Sequence, residues 1–299
     1  MAVIGTGHAH GACSLLHAAG TGYGASLSID LPVIVKALDK PSKRQLNDPD
    51  NLLESVVETW IGNDLPLPEG LEMQDIHWAV ASKIPPNRGL KSSAAVSIAA
   101  IKALCEATGK ELEDAEIVSL SSQTQINAGV SITGSIDDSW ACLTKGWKLI
   151  DANAEDITSG VVMEGPGPNP DDWTVLIVTR DARTSRPQLE DFVPMYQEFE
   201  KALIALQQGE VFNCLTMNGR AVCSVTNDIQ GRKISNDAFI NGARASGMTG
   251  SGPAVIIVIP SFLKASFVRI KTILQRMVPK EQIFETKFLS LDSDELEME

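Results

Sequence analysis

This chain of 299 residues lacks any surplus of positive charge: 25 Lys and Arg face 38 Asp and Glu, for a formal charge of −13. Nucleic-acid surfaces are usually built on a basic patch or stripe, so no nucleic-acid partner is expected. No run of 18 uninterrupted apolar residues occurs, which leaves no candidate membrane span. The N-terminus has no basic segment followed by an apolar one, so no signal peptide is expected. The five cysteines, at 13, 105, 142, 214 and 223, are odd in number, widely spaced and without a Cys-x-x-Cys pair. They read as reduced, mostly buried thiols of a cytoplasmic protein. Histidines are few and dispersed: His8 and His10 are read in one loop, while His17 and His77 stand alone, so no metal site is built from them. Aromatics make up only 5%, leaving Ala, Gly, Val, Ile and Leu to pack the interior. The length suffices for one large core or two modest ones.

What is present is a mixture of strand and helix signals without strict alternation. Residues 27–37, 77–84, 173–179 and 254–259 read as strands. Residues 51–60, 92–108, 112–127, 188–206, 210–225 and 262–277 carry helical spacing. Residues 2–24 are dense in glycine, closing on Gly-Thr-Gly-Tyr-Gly at 20–24, and read as a loop where backbone approaches something closely. The run Gly-Pro-Gly-Pro-Asn-Pro at 165–170 is rich in breakers and is the expected joint between a domain at 1–164 and another at 165–299. The tail 292–299 is acidic and expected to fray. The fold class expected is α+β with two lobes.

The most informative stretch is Ile-Pro-Pro-Asn-Arg-Gly-Leu-Lys-Ser-Ser-Ala-Ala-Val at 84–96. Pro85 and Pro86 stop the preceding strand, and Gly89 permits backbone geometry closed to other residues. Ser92 and Ser93 are candidates to cap the Ala-rich helix that follows. A helix start with free N–H groups and a positive dipole end is a natural seat for phosphate. It is not a Walker loop, because Leu90 separates Gly89 from Lys91. Two more pieces need explaining: the acidic pair Asp137-Asp138, after Gly-Val-Ser-Ile-Thr-Gly at 129–134, and a second glycine-rich run, Gly-Met-Thr-Gly-Ser-Gly-Pro at 247–253.

In order and composition these three pieces resemble the GHMP kinase superfamily, whose ATP loop has the form Pro-x-x-x-Gly-Leu-x-Ser-Ser-Ala. Pro85, Gly89, Leu90, Ser92, Ser93 and Ala94 match it position for position. Within the superfamily the chain is most similar to the archaeal-type shikimate kinases, on five further points. These are Lys91 within Gly-Leu-Lys-Ser-Ser, Ala-Gly-Thr-Gly-Tyr-Gly-Ala at 19–25 with Ile-Asp-Leu at 29–31, the 129–138 segment, Leu-Thr-Met-Asn-Gly at 215–219, and Thr-Gly-Ser-Gly-Pro-Ala at 249–254. The resemblance implies a two-lobed fold with mixed or antiparallel sheets and the ATP loop between the lobes. It also implies ATP- and Mg²⁺-dependent phosphorylation of the 3-hydroxyl of shikimate, a step towards aromatic amino acids. A homoserine- or mevalonate-like acceptor, or a silent metabolite-binding homologue, are the rival readings.

On this resemblance Pro85, Pro86, Asn87, Arg88, Gly89, Leu90, Lys91, Ser92, Ser93, Ala94 and Ala95 form the ATP segment. Asp137 faces the acceptor hydroxyl as base, and Ser92 and Asp138 approach Mg²⁺, a cation that favours oxygen ligands. Asp138 is open to a second reading as a helix cap, and Lys91 either offsets phosphate charge or points to solvent. A Glu common in the superfamily about a dozen residues before the catalytic Asp is replaced here by the neutral amides Gln125 and Asn127. A substrate carboxylate is best gripped by a guanidinium, and Arg180, Arg183, Arg186 and Arg244 are the candidates. Thr21 and Gly22 are candidates for hydroxyl contacts, with Thr249 and Gly250 from the second glycine-rich run beside phosphates and acceptor.

Overall fold

The computed structural model describes residues 2–42, 46–131, 133–183 and 185–291. Ile132 of the 129–134 motif and the acidic tail at 292–299 lie outside them.

The glycine-rich start is the main departure from expectation. It is a 14-residue strand, β1 (Val3–Leu16), running antiparallel to β2 (Tyr23–Leu38) from Val3↔Leu38 to Leu16↔Ala25. One helical turn, α1 (Ala18–Thr21), joins the two, and Gly22 ends it in the left-handed region at φ 82°. The expected close approach is real, but its partner is a helix. A Cβ on Gly7 would sit 1.8 Å from the Ala99 carbonyl oxygen, and one on Gly5 would sit 2.1 Å from that of Ala103. Ala99 and Ala103 lie on α3 (Ser92–Thr108), so small residues on both sides let helix backbone press against strand backbone.

Three more strands complete the first sheet: β3 (His77–Ser82), β4 (Trp147–Asp151) and β5 (Val161–Gly165), in the order β1-β2-β4-β5 with β3 also paired to β2. Between them run α2 (Leu52–Gly62), α4 (Asp114–Asn127) and α5 (Ile136–Leu143). The second sheet has the order β7-β8-β6-β9, from β6 (Trp173–Val178), β7 (Ala245–Met248), β8 (Val255–Pro260) and β9 (Ile283–Thr286). All described pairings between strands are antiparallel. The breaker run at 165–170 lies between β5 and β6, where one sheet gives way to the other. The halves nevertheless share a core: Ala12, Leu27 and Ile98 belong to the same buried cluster as Ile177, Ile256 and Val258.

The second half adds α6 (Leu189–Phe192), α7 (Tyr196–Gln207), α8 (Val211–Val225), α9 (Ile229–Ile240) and α10 (Lys264–Leu274). The single helix expected over 188–206 is broken by a 3₁₀ turn at Val193–Met195, because Pro194 has no N–H to continue the ladder. Gly247 and Met248, expected in a loop, belong to β7, and a Cβ on Gly219 of α8 would sit 2.3 Å from the Gly247 Cα. Among the described residues no helix is long and apolar enough to cross a membrane.

Gly7→Ala should therefore destabilise the fold by about 3 kcal/mol, the cost of overpacking against a backbone oxygen that cannot step aside. Gly62→Ala, where a Cβ meets nothing within 4 Å, should be neutral or stabilising by up to about 1 kcal/mol. Urea midpoints of the two variants check this, and equal losses would contradict the strand–helix contact.

Candidate active site

The turn between β3 and α3 winds through left-handed backbone at alternate positions: Asn87 at φ 55°, Gly89 at φ 79° and Lys91 at φ 64°. Winding of this kind gathers successive N–H groups into an anion-binding concavity. Lys91, not a serine, is the N-cap of α3, and among the described residues no side chain caps it. The expectation that Ser92 or Ser93 caps the helix is thus corrected: both lie inside it, and Ser93 Oγ instead donates to Gln125 Oε1 at 3.1 Å. Gly89 is pressed against the second glycine-rich run, where a Cβ would fall 2.1 Å from the Thr249 carbonyl oxygen.

Helix α5 delivers the two acids. They lie in the first turn of α5, whose N-cap Ser135 is also left-handed at φ 52°. Anionic side chains are favoured at that end of a helix. Lys91 Nζ lies 2.6 Å from Asp138 Oδ1, with the lysine side chain only 8% exposed, so of its two readings the solvent-facing one is wrong. Ser26 Oγ on β2 donates to Asp138 Oδ1 at 2.8 Å and reaches Asp137 Oδ2 at 3.3 Å. Asp137 packs on Gly24, where a Cβ would sit 2.7 Å from the Asp137 Cγ, so β2 needs glycine there.

Burial pushes the Asp137 carboxyl up to about 8; the Asp138 charge adds to the rise and Lys91 opposes it. For Asp138, burial also pushes upward, but Lys91 and the hydroxyl of Ser26 outweigh it and hold the group below the usual carboxylate range. Burial pulls Lys91 down, while Asp138 and Asp137 more than restore it, so the ammonium stays charged.

These groups open on a cavity of about 840 Å³. Pro86, Asn87, Arg88, Gly89, Lys91, Ser92 and Ser93 line it, together with Asp137, Asp138, Arg183, Arg186 and Gly250. Leu90, Ala94 and Ala95 are buried behind the turn. Pro85 faces a separate cavity on the other side of the turn. Burial, with Arg186 second, lowers the pKa of the Arg183 guanidinium, and among the described residues it has no ion-pair partner. Arg186 donates to the Gly129 carbonyl at 2.8 Å and lies 3.9 Å from Asp50.

Several expected ligands stand elsewhere. Arg180 is buried in an ion pair with Asp228 and hydrogen-bonds the Pro253 carbonyl, so its guanidinium is fully engaged. Arg244 is exposed beside Asn213, in a different cavity. Thr21 and Gly22 form the end of α1 and do not line the cavity that holds Asp137. Thr249 is buried, its hydroxyl donating to the Gly89 carbonyl at 3.0 Å and accepting from Ser14 N at 2.9 Å, a role in fastening loops together. The two amides separate as well. Gln125 is buried and joins Ser93 to Ser139, whereas exposed Asn127 donates to Thr59.

One cavity residue carried no signal in the sequence. His17 stacks on Phe192 with ring centroids 4.6 Å apart, and its Nδ1 accepts from Ala19 N at 3.3 Å. That leaves Nε2–H to donate to Ser251 Oγ at 3.1 Å. Burial, reinforced by Lys91, lowers its pKa to about 4, so it is neutral at pH 7. A lone histidine beside a one-turn helix has no spacing to betray it.

The donor set on the loop side suits a hard cation: Ser92 and Asp138 offer oxygen to the same cavity, and Mg²⁺ is commonly held by one or two protein oxygens plus phosphate. Among the described residues no three His, Cys, Asp or Glu side chains form a metal cluster.

The Asp137 shift fixes a sign. Native protein keeps a proton there that the unfolded chain sheds above its ordinary carboxylate range, so native stability falls as pH rises towards about 8. Asp137→Asn should remove this slope, so that its unfolding free energy gains on the wild type from about pH 5 to pH 8 in matched denaturant titrations. A difference that stays flat over this range would show that the carboxyl is ionised throughout.

Residues 51–146 match the family described as GHMP kinases N terminal domain. The shikimate kinase of Methanothermobacter thermautotrophicus is 27% identical over 277 residues, covering 86% of this chain and 87% of that protein. That of Pyrococcus abyssi is 27% identical over 231 residues, covering 72% and 78%. Among solved structures, the mevalonate kinase of Methanococcus jannaschii superposes with a TM-score of 0.69 at 17% identity, covering 95% of this chain and 98% of that one. The homoserine kinase of Cytophaga hutchinsonii gives a TM-score of 0.62 at 16% identity, covering 96% and 94%. Residues 51–146 thus match a GHMP kinase N-terminal domain, most of the chain is similar to shikimate kinases at about 27% identity, and the fold is that of the GHMP kinase structures.

Proposed function

We propose that this kinase transfers the γ-phosphoryl group of ATP to the 3-hydroxyl of shikimate. The observation that carries the reading is the buried Asp137–Asp138–Lys91 cluster opening on the same cavity as the N–H concavity at 87–93. The acceptor is suggested by relatives called shikimate kinase at 24–27% identity over most of the chain.

Phosphoryl transfer asks a protein mainly for positioning and charge neutralisation. The N–H groups of the turn and of the α3 N-terminus would receive the phosphate oxygens, and Lys91 would supply a fixed positive charge. Mg²⁺, held by Ser92 and Asp138, would screen the remaining charge on the phosphates. Asp137 accepts the proton of the acceptor hydroxyl as that oxygen bonds to the γ-phosphorus. The bond from this phosphorus to the bridging oxygen breaks, and ADP leaves. A carboxylate whose pKa is raised towards the working pH is well matched to that task. Arg183, a half-buried guanidinium without an ion pair among the described residues, would grip the substrate carboxylate. The Ser251 hydroxyl, oriented by neutral His17, would offer a hydrogen bond to a ring hydroxyl on the same wall.

The test is ADP release from the purified chain with Mg·ATP and shikimate, mevalonate or homoserine in turn. Turnover should require shikimate, and preferential turnover of either other acceptor would replace it as substrate. Asp137→Asn should lower kcat by roughly 10²–10⁴-fold, and near-normal turnover would remove Asp137 from the chemistry. Arg183→Lys should raise the KM for shikimate about tenfold or more while leaving that for ATP close to the wild type, the loss expected for charge-assisted hydrogen bonds.

A further inference from the structure

We propose that Arg180 is a positioning residue for the ATP loop, acting through the carbonyl of Pro253. The proposal rests on the nucleotide reading of the cavity. Arg180 follows β6 and adopts φ 54°, a conformation that residues with a Cβ avoid unless their surroundings impose it. It is 7% exposed and lies outside the cavity that holds Asp137. Its Nε donates to the Pro253 carbonyl at 2.9 Å, its Nη1 donates to Asp228 Oδ1 at 2.8 Å, and Nη2 reaches both partners. Asp228 is fixed in turn, as the N-cap of α9 accepting from Gly231 N at 2.7 Å.

The held carbonyl belongs to a segment bound tightly to the ATP loop. Ala254 N donates to the Arg88 carbonyl at 3.0 Å, the Thr249 hydroxyl donates to the Gly89 carbonyl at 3.0 Å, and Thr249 N closes the segment onto the Ala254 carbonyl at 3.0 Å. Arg88 and Gly89 are the centre of the phosphate turn. The segment also carries Gly250 and Ser251 into the cavity, with Ser251 against His17. A planar guanidinium holds two acceptors in one fixed relation. Here it ties the start of α9 to the peptide that braces Arg88 and Gly89. The Arg180–Asp228 pair thus sets where the turn's N–H groups sit, without touching nucleotide or acceptor.

A purely stabilising ion pair would affect unfolding and leave nucleotide affinity alone, so affinity is the deciding readout. Binding of Mg·AMP-PNP to the full chain is measured by calorimetry for wild type, Arg180→Met, Arg180→Lys and Gly231→Ala. Leu274→Ala in α10 serves as a control destabilised elsewhere. Arg180→Met should bind about tenfold more weakly or worse, with Arg180→Lys in between, because a lysine keeps the charge but loses the fork. Gly231→Ala is the mildest probe: its Cβ would meet Arg180 Nη2 at 2.8 Å and Asp228 Oδ2 at 2.8 Å, although alanine otherwise favours the helix. It should weaken binding without lowering Tm as Leu274→Ala does, and it decides the matter if Arg180→Met fails to fold. Affinities at the wild-type level in the folded variants, or losses no larger than that of Leu274→Ala, overturn the proposal. A wild type that binds nucleotide but leaves shikimate unphosphorylated refutes only the acceptor. A wild type that binds no nucleotide refutes the reading of the cavity, and this proposal with it.

Discussion

The site depends on one buried ion pair, Lys91 with Asp138 at 2.6 Å. Neither charge is stable in that setting without the other, since losing one partner of a buried pair typically costs about 3–5 kcal/mol. The pair therefore fixes the end of the phosphate turn against the first turn of α5. It also divides labour between two adjacent acids. Asp138 takes the ammonium and the shorter hydrogen bond from Ser26, which holds it ionised. Asp137 is left with burial and a like-charged neighbour, which raise its affinity for a proton. Two carboxylates one residue apart thus acquire opposite tendencies from their contacts alone, an arrangement suited to a separate base and charge anchor.

Two helix starts converge on the same cavity. Both α3 and α5 begin from a left-handed N-cap, Lys91 at φ 64° and Ser135 at φ 52°, with no capping side chain among the described residues. Their positive ends add where an anion would sit. What keeps them aimed together is a neutral seam between α3, α4 and α5. Ser97 bonds Ser121 at 2.6 Å, Ser121 bonds Ser139 at 2.9 Å, and Gln125 spans from Ser93 to Ser139. The amide donates to one helix and accepts from the other, which a carboxylate at 125 would not do. It fixes the rotation of the helices without adding a charge to a site that already holds two carboxylates.

The helices, the turn at 87–93 and the acidic pair at 137–138 were legible because each is a local pattern. The boundaries of α3 at 92 and 108 follow from an Ala-rich run closed by Gly109. The phosphate turn is marked by prolines, a glycine and the helix that follows. β1 was hidden because its glycines dilute the alternation that identifies a strand, and the reason for them, the backbone of α3 lying across it at Ala99 and Ala103, is far away in sequence. The arginines show the same limit. Arg180, Arg183 and Arg186 are neighbours along the chain, yet one is sealed in a structural pair while the other two face the cavity. Their fates depend on Asp228 and on which side of β6 the chain leaves, and no spacing encodes either. His17 was invisible for the same reason, since Ser251 and Phe192 come from distant segments.

The scarcity of aromatics and the site's geometry have a common cause. With few large rings to fill space, the interior is closed by backbone lying directly on backbone, at Gly5 and Gly7 under α3 and at Gly219 against Gly247. The same device sets the active-site distances: Gly89 lets the phosphate turn lie on the Thr249 carbonyl, and Gly24 leaves room for the Asp137 carboxylate. Backbone contacts of this kind have no rotamers to adjust, so the placement of the turn and of the Asp137 carboxyl is inherited from the packing of the sheets and helices. The site is therefore stiff by construction, which is the condition under which preorganised N–H groups and a fixed carboxylate act most strongly on a developing charge.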